Sequence, residues 1–354
     1  MIFSENRCPL FRIMLQRGGH PLQPGDKRHS ALRPSLIADI GATNARFAVV
    51  SPDRGVQRPR VLACEDYPTI HGAIATYLDD ELRLTDVRQV ETAALAIAGP
   101  VTGDQVALTN HPWSFSIDQL RGHLGIERLH VVNDFAAVAS AMPHLDADER
   151  TPIGGGEPLP DAPVGVLGPG SGLGVCGLVH SSSGWLPLPG EGGHTTMAPA
   201  NSRESAVLDR MRTRHDHVSA ERVLSGPGLV DLYTTLAEVD GVPAVSYTAP
   251  QITSPGACES DRYCAEAVQM FCAMLGTVAG NLALTLGARG GIYVAGGIVP
   301  KLGARFSASA FRERFESKGR LRPYLAKIPT YVVTHPFPAF LGLAALLTRP
   351  AEEM

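Results

Sequence analysis

The sequence predicts an α/β protein of two domains. Three observations lead there. The chain has 354 residues, enough for two domains of ordinary size. Apolar runs of strand length alternate with segments of helical spacing. A strand, a glycine-rich turn and an antiparallel strand open each half before helices and further strands follow. This faint internal repeat of α/β units is far longer than a solenoid period.

In the first half, Leu36–Ile40 and Arg46–Val50 read as strands joined by Gly41–Ala45, hence a hairpin. Val61–Ala63 reads as a third strand, and His71–Leu84 has helical spacing at Ile74, Tyr77, Leu78 and Leu82. Ala93–Ala98 is a buried strand stopped by Gly99-Pro100. Ser116 with Gln119 three residues on forms a capping box, and Gly125 closes that helix. His130–Val132 is a strand running into Asn133-Asp134, and a helix over Phe135–Met142 ends at Pro143. In the second half, Val164–Leu167 leads through the loop Gly168–Gly174 to the strand Val175–Val179. Helices are expected at 202–213, 219–225, 228–238 and 261–286, then strands at Ile292–Ala295 and Tyr331–Thr334 and a last helix at Ala339–Leu347.

Composition narrows the function. Hydrophobic residues make up 44% and charged ones 19%, with a net charge of −4, so a core is affordable and the basic excess of a nucleic-acid binder is missing. The cysteines Cys8, Cys64, Cys176, Cys258, Cys264 and Cys272 are scattered with no C-x-x-C pair. They read as reduced thiols in a cytoplasmic protein, neither a zinc site nor a disulfide framework. Residues 1–34, with six Lys or Arg, two acids and many Pro and Gly, read as a disordered extension ahead of the folded chain. The uncharged stretch at 270–288, with Gly276-x-x-x-Gly280, imitates a membrane span. It continues a helix begun by Asp261, Arg262 and Glu266, so a buried core helix is the better reading and no membrane partner is expected.

Two loops suggest phosphate binding. Asp39-Ile40-Gly41-Ala42-Thr43-Asn44 turns tightly between strands. Such a turn aims backbone N–H groups into one space, a nest for anionic oxygens. Gly41 is expected to supply φ freedom, and Asp39 could hold a metal directly or through water. The plain alternative is an ordinary hairpin turn. The loop Gly168–Gly174, with Gly170, Ser171 and Gly172 at its tip, has neither the Lys of a P-loop nor a following helix, so the nucleotide motifs built on those do not apply. A pair of strand–loop–strand clasps suits a nucleotide.

Asp134, between a strand end and a helix start, is the acid–base candidate; a helix cap is its plain alternative. Phosphoryl transfer to an alcohol needs an acceptor for the hydroxyl proton. Glu191 and His194, three apart in a glycine-rich bend, and Glu221 offer partners for sugar hydroxyls, which both donate and accept. A metal site at Glu191 and His194 lacks a third ligand, and a solvated helix face is the default reading of Glu221.

These motifs, with Ala98–Val101, Thr109–Trp113, Ser219–Gly228 and Ala295–Pro300, resemble in order and spacing the bacterial glucokinase family of the sugar kinase, Hsp70 and actin superfamily. The resemblance runs from about residue 36 to the C-terminus. It implies a ribonuclease-H-like (actin-like ATPase) fold with a deep interdomain cleft, a small domain at 36–144 completed by a C-terminal helix at 335–354, and a large domain at 145–334. It implies ATP-dependent phosphorylation of glucose to glucose 6-phosphate, the first step of glycolysis, with ATP and Mg²⁺. Asn133, Asp134, Glu191, His194 and Glu221 would bind the sugar, with Asp134 also the catalytic base. Ala38, Asp39, Ile40, Gly41, Ala42, Thr43, Asn44, Gly170, Ser171 and Gly172 would hold the phosphates, and Gly296 and Gly297 would approach the adenosine. Ala42 departs from the glycine common in the family, and the Cβ restricts that turn. The zinc-binding cysteines of the related repressor and sugar-kinase group are missing, which points to the zinc-free branch. A kinase for mannose, fructose or an amino sugar, or a sugar-sensing regulator, stays open, as does a homodimer. Against the regulator stand the short Pro- and Gly-rich tail, unlike a helix-turn-helix, and the full set of catalytic candidates.

Overall fold

The computed structural model of the chain describes residues 34–51, 55–84, 90–109 and 111–348. The extension expected at 1–34, Pro34 apart, and the end of the helix expected over 335–354 lie outside them. The chain divides into two units, one ending at Ala137 and rejoined from Ala339, the other spanning Val138–Pro338. That division falls inside the helix Asp134–Ala141, whereas the sequence division at 144 follows it.

In the first unit the strands are β1 (Ser35–Ile40), β2 (Asn44–Ser51), β3 (Gly55–Ala63), β4 (Thr92–Ile97), β5 (Gln105–Ala107), β6 (Ser114–Ser116) and β7 (Arg128–Asn133). The main sheet has the order β3-β2-β1-β4-β7. β1 to β3 run antiparallel in turn, and β4 and β7 run parallel to β1. Every residue of β4 is buried, which is why a central parallel strand reads as an unbroken apolar run. The helices Ile70–Leu84 and Ile117–Leu124 supply Ile70, Ile74, Tyr77 and Leu120 to a core with Leu36, Phe47 and Leu95. Ser116 caps the second of these by accepting from the Gln119 N–H, and Gly125 ends it at φ 63°, in the left-handed region that favours glycine. The third strand is longer than the expected Val61–Ala63. The small β5–β6 hairpin was not predicted, because three-residue strands are too short to show a period.

The second unit holds β8 (Arg150–Gly154), β9 (Val164–Pro169), β10 (Leu173–Ser181), β11 (Gly184–Gly190), β12 (Gly291–Val294) and β13 (Thr330–Val333). Its sheet order is β11-β10-β9-β12-β13-β8. β9 to β11 form an antiparallel meander, and β12 and β13 continue parallel to β9. This repeats the first unit's order, with β8 added antiparallel at the edge. The repeat read in the sequence is therefore a repeat of topology, the ribonuclease-H-like arrangement.

One helix expectation fails. Residues 219–225 form turns, and the next helix begins only at Gly226. The Ala220 and Glu221 N–H groups donate to Thr195 and Gly193 carbonyls, so this stretch is strapped to a neighbouring loop. Ser225 then caps a new helix with Pro227 in its first turn.

The uncharged stretch lies in the helix Arg262–Leu286, whose buried residues include Phe271, Met274, Leu275 and Ala279 in the second unit's core. Its G-x-x-x-G spacing serves a close helix crossing. A Cβ at Gly276 would stand 2.2 Å from the Phe311 carbonyl oxygen, and one at Gly280 2.6 Å from that of Phe315. Gly276→Ala raises helix propensity, by about 1 kcal/mol at most, yet overpacks this crossing, which costs about 1–3 kcal/mol. Urea unfolding is expected to show a net loss of stability; a gain would contradict the crossing.

Candidate active site

The parallel register of the first unit sets one edge of its sheet. Ile40 lies opposite Ile97, and Ile97 opposite Asn133. The turn after β1, Gly99 after β4 and Asp134 after β7 therefore emerge together, at the carboxyl ends where open α/β sheets bind ligands.

Within the first clasp, Ala38 and Ile40 are fully buried and lie in β1, which is paired on both sides. Gly41, Ala42 and Asn44 are partly buried, and Thr43 between them is exposed. The Gly41 N–H donates to the Asn44 carbonyl at 3.0 Å, and the Thr43 carbonyl accepts from the Cys64 N–H at 2.9 Å. Cys64 also directs its thiol at the Gly41 carbonyl, 3.4 Å away. Among the described residues, neither the Ala42 nor the Thr43 N–H donates to a backbone carbonyl, which leaves both for an anionic oxygen. Gly41 does not have a positive φ, so the φ freedom expected of it is not used. A Cβ there would meet only the Asn44 oxygen, at 3.4 Å.

Asp39 stands opposite Arg46 in the hairpin and accepts from its guanidinium at 2.8 Å. Burial pushes the Asp39 pKa up, and the Arg46 charge and hydrogen bond pull against it. Arg46 was not singled out as Asp39's partner in the sequence; the signal was there in the hairpin register.

Asn133 turns out to be the helix cap. Its Oδ1 accepts from the N–H groups of Phe135 at 2.9 Å and Ala136 at 3.2 Å, while its Nδ2 donates to the Gly99 carbonyl at 3.1 Å. The side chain thus caps one element and ties two strand ends together. A Cβ on Gly99, at φ 156°, would crowd the Ala107 carbonyl oxygen at 3.0 Å and Thr109 Oγ1 at 3.1 Å. Asp134 is half-buried and accepts from the adjacent Phe135 N–H at 2.8 Å. Asn110 lies outside the described residues.

The second clasp is tighter than expected, because β9 and β10 extend into the loop and leave Gly170–Gly172 at the tip. The Gly170 N–H donates to the Gly172 carbonyl, and the Gly170 carbonyl accepts from the Gly226 N–H, both at 2.8 Å. Gly170 has open space around its α-carbon and Ser171 is exposed. Gly296 has φ 82°, and a Cβ on it would lie 2.4 Å from the Pro169 carbonyl oxygen, so only glycine fits there. The exposed Gly296-Gly297 turn thus abuts the end of β9.

Glu191 precedes a short 3₁₀ turn at Gly192–His194 and His194 ends it; both are more than half exposed, 3.8 Å apart at Oε2 and Nε2. Glu221 is distant from them in sequence and is brought to their turn by folding. Its N–H donates to the Gly193 carbonyl at 2.8 Å, and its Oε2 accepts from the Leu173 N–H at 2.9 Å. It is not on a solvated helix face.

Among the described residues, no group of three His, Cys, Asp or Glu is set to hold a metal. A resident ion would have no cage here. Magnesium arriving with a nucleotide needs only one or two carboxylates, since phosphates and water complete its shell. Asp39 fits that requirement.

The sequence profile of the glucokinase family matches residues 36–350. A glucokinase of Paramagnetospirillum magneticum is 51% identical over 316 residues, covering 89% of this chain and 98% of that one. A glucokinase of Aromatoleum aromaticum is 51% identical over 315 residues, covering 89% and 94%. The crystal structure of a glucokinase from an Antarctic psychrotroph is similar at a TM-score of 0.79 and 35% identity, covering 89% of this chain and 98% of that one.

Asn133 yields a separable prediction. Asn133→Ala removes the cap and the Gly99 tie, and loss of a cap alone costs about 0.5–2 kcal/mol. Urea unfolding is expected to show at least that loss, with Asn133→Ser recovering part of it. An Ala variant as stable as the parent would deny the capping role.

Proposed function

Because the chain belongs to the glucokinase family, we propose that Asp134 is the general base of its ATP-dependent phosphorylation of glucose to glucose 6-phosphate, the entry step of glycolysis. The observation that carries this reading is the place of Asp134. It follows β7 at the carboxyl edge of the sheet, while the neighbouring Asn133 takes up the capping of the helix. A half-buried carboxylate at this edge has the chemistry to accept the proton of a substrate hydroxyl.

The reaction follows from these groups. The hydroxyl oxygen of the sugar attacks the terminal phosphorus of ATP, its proton passes to the Asp134 carboxylate, and ADP leaves. Positioning and charge stabilisation supply most of the catalysis in such transfers. The N–H groups of Ala42, Thr43, Ser171 and Gly172 are the donors for phosphate oxygens, with Gly170 shaping the second loop, and Gly296-Gly297 approaches the adenosine. Asp39 would hold the magnesium that accompanies ATP, directly or through water, and that ion would supply charge neutralisation of the phosphates. Glu191, His194, Glu221 and Asn133 hold sugar hydroxyls. His194 and Glu191 are suited to this because both carry exposed polar atoms. A cytoplasmic location is part of this proposal and is supported by the free thiols of Cys64, Cys176, Cys258, Cys264 and Cys272.

The test is turnover of purified Asp134→Asn with glucose and ATP, its fold checked by circular dichroism and its ATP binding by calorimetry. The substitution keeps the shape and removes the accepting charge. Turnover is expected to fall by about 10²–10⁴-fold while ATP binding survives. Near-normal turnover in a folded variant would refute Asp134 and turn attention to Glu191 or Glu221.

A further inference from the structure

We infer that Glu221 is a positioning residue that couples sugar occupancy to the conformation of the Gly170–Gly172 phosphate loop. The inference rests on the functional reading above and adds a linkage to it.

The linkage begins in the backbone. Ala220 and Glu221 donate their N–H groups to the Thr195 and Gly193 carbonyls, both at 2.8 Å. The stretch carrying Glu221 is thereby laid along the loop that presents Glu191 and His194. Gly193 is pressed on β10 so closely that a Cβ would stand 2.1 Å from the Leu173 carbonyl oxygen. Movement of the Glu191–His194 turn therefore has little slack before it reaches Glu221 or Leu173.

From Glu221 the linkage continues to the phosphate loop. Glu221 Oε2 accepts from the Leu173 N–H at 2.9 Å, just after the loop tip. A Cβ on Gly172 would lie 2.4 Å from the same oxygen, so glycine is what lets the carboxylate reach the loop. At the loop's other end, the Gly226 N–H donates to the Gly170 carbonyl at 2.8 Å. The segment from Glu221 to Gly226 thus grips Gly170 and Leu173, one on each side of Ser171. This is the physical reason that 219–225 forms turns: a regular helix would withdraw these groups from the two loops.

Among the described residues, Glu221 makes no hydrogen bond through Oε1. An ionised carboxylate has about four lone-pair sites, so a sugar hydroxyl can bond to it while Oε2 keeps the Leu173 N–H. A sugar held this way fixes the side chain that fixes the loop. The loop is then ordered before ATP arrives, and the second ligand is spared that ordering cost. By linkage the effect is reciprocal.

The experiment is calorimetry on the full chain with a β,γ-imido analogue of ATP, with and without saturating glucose. In the parent protein glucose is expected to tighten analogue binding by at least about fivefold. Glu221→Ala removes the grip on Leu173 and is expected to abolish that enhancement. Glu221→Gln retains a carbonyl for the Leu173 N–H and should keep most of it. Gly172→Ala forces the Glu221 carboxylate off the Leu173 N–H while leaving Glu221, Glu191 and His194 themselves in place, and should lose the enhancement at saturating glucose, which keeps the test decisive where Glu221→Ala folds poorly. His194→Ala should weaken glucose yet keep the enhancement once glucose saturates, which separates coupling from sugar affinity. A parent protein that binds both ligands without coupling, or a Gly172→Ala variant that retains it, overturns the inference and leaves the functional reading standing. A parent protein that binds no glucose overturns both.

Discussion

The parallel pairing of β1, β4 and β7 determines what the first unit can do. Strands in register and of one direction end together, so the residues that follow them share an edge whatever their distance in sequence. Ile40, Ile97 and Asn133 are opposite one another in turn. The candidate polar residues of this unit lie at or beside those strand ends, from Asp39 near the end of β1 to Asp134 just after β7. The Asn133 side chain then joins two of the strand ends through the Gly99 carbonyl while capping the next helix. One amide fixes both the direction of that helix and the departure of Asp134 from the sheet.

The second unit reaches a comparable result by crowding. Gly172, Gly193 and Gly296 each sit where a Cβ would lie within 2.4 Å of another atom, respectively Glu221 Oε2, the Leu173 carbonyl and the Pro169 carbonyl. These approaches bring three loops onto the ends of one hairpin, β9 and β10. Hydrogen bonds from Leu173 to Glu221, from Glu221 to Gly193 and from Gly226 to Gly170 then set their positions. Close packing accounts for Gly172 and Gly193, and Gly296 adds a positive φ, whereas Gly41 has neither a positive φ nor a severe clash.

Much of this was legible in the chain. The strands and the long helix carry strong apolar patterns, because burial on a regular lattice imposes a period. The Ser116 and Gly125 helix ends were legible because caps demand particular residues. The segment 219–225 was misread because its backbone bonds to a distant loop, and no local period records a long-range tie. For the same reason the Glu221 bond to Leu173 and the Asn133 bond to Gly99 had no sequence signal of their own. The short strands of the β5–β6 hairpin and the edge strand β8 were missed because edge and three-residue strands bury too little to impose alternation. The candidate site residues were visible as ordered motifs, whereas the capping role of Asn133 needed coordinates.

Discrimination among sugars and donors bears most directly on glucose phosphorylation, since the two loops proposed to hold phosphates would serve a kinase for any hexose. The decisive measurement is a coupled kinase assay of the purified protein across glucose, mannose, fructose and amino sugars, with ATP, ADP or polyphosphate as donor and the product identified by phosphorus NMR. The account predicts the highest kcat/KM for glucose with ATP and glucose 6-phosphate as product. A higher kcat/KM for another hexose or donor, or no phosphorylation of glucose at all, would contradict it.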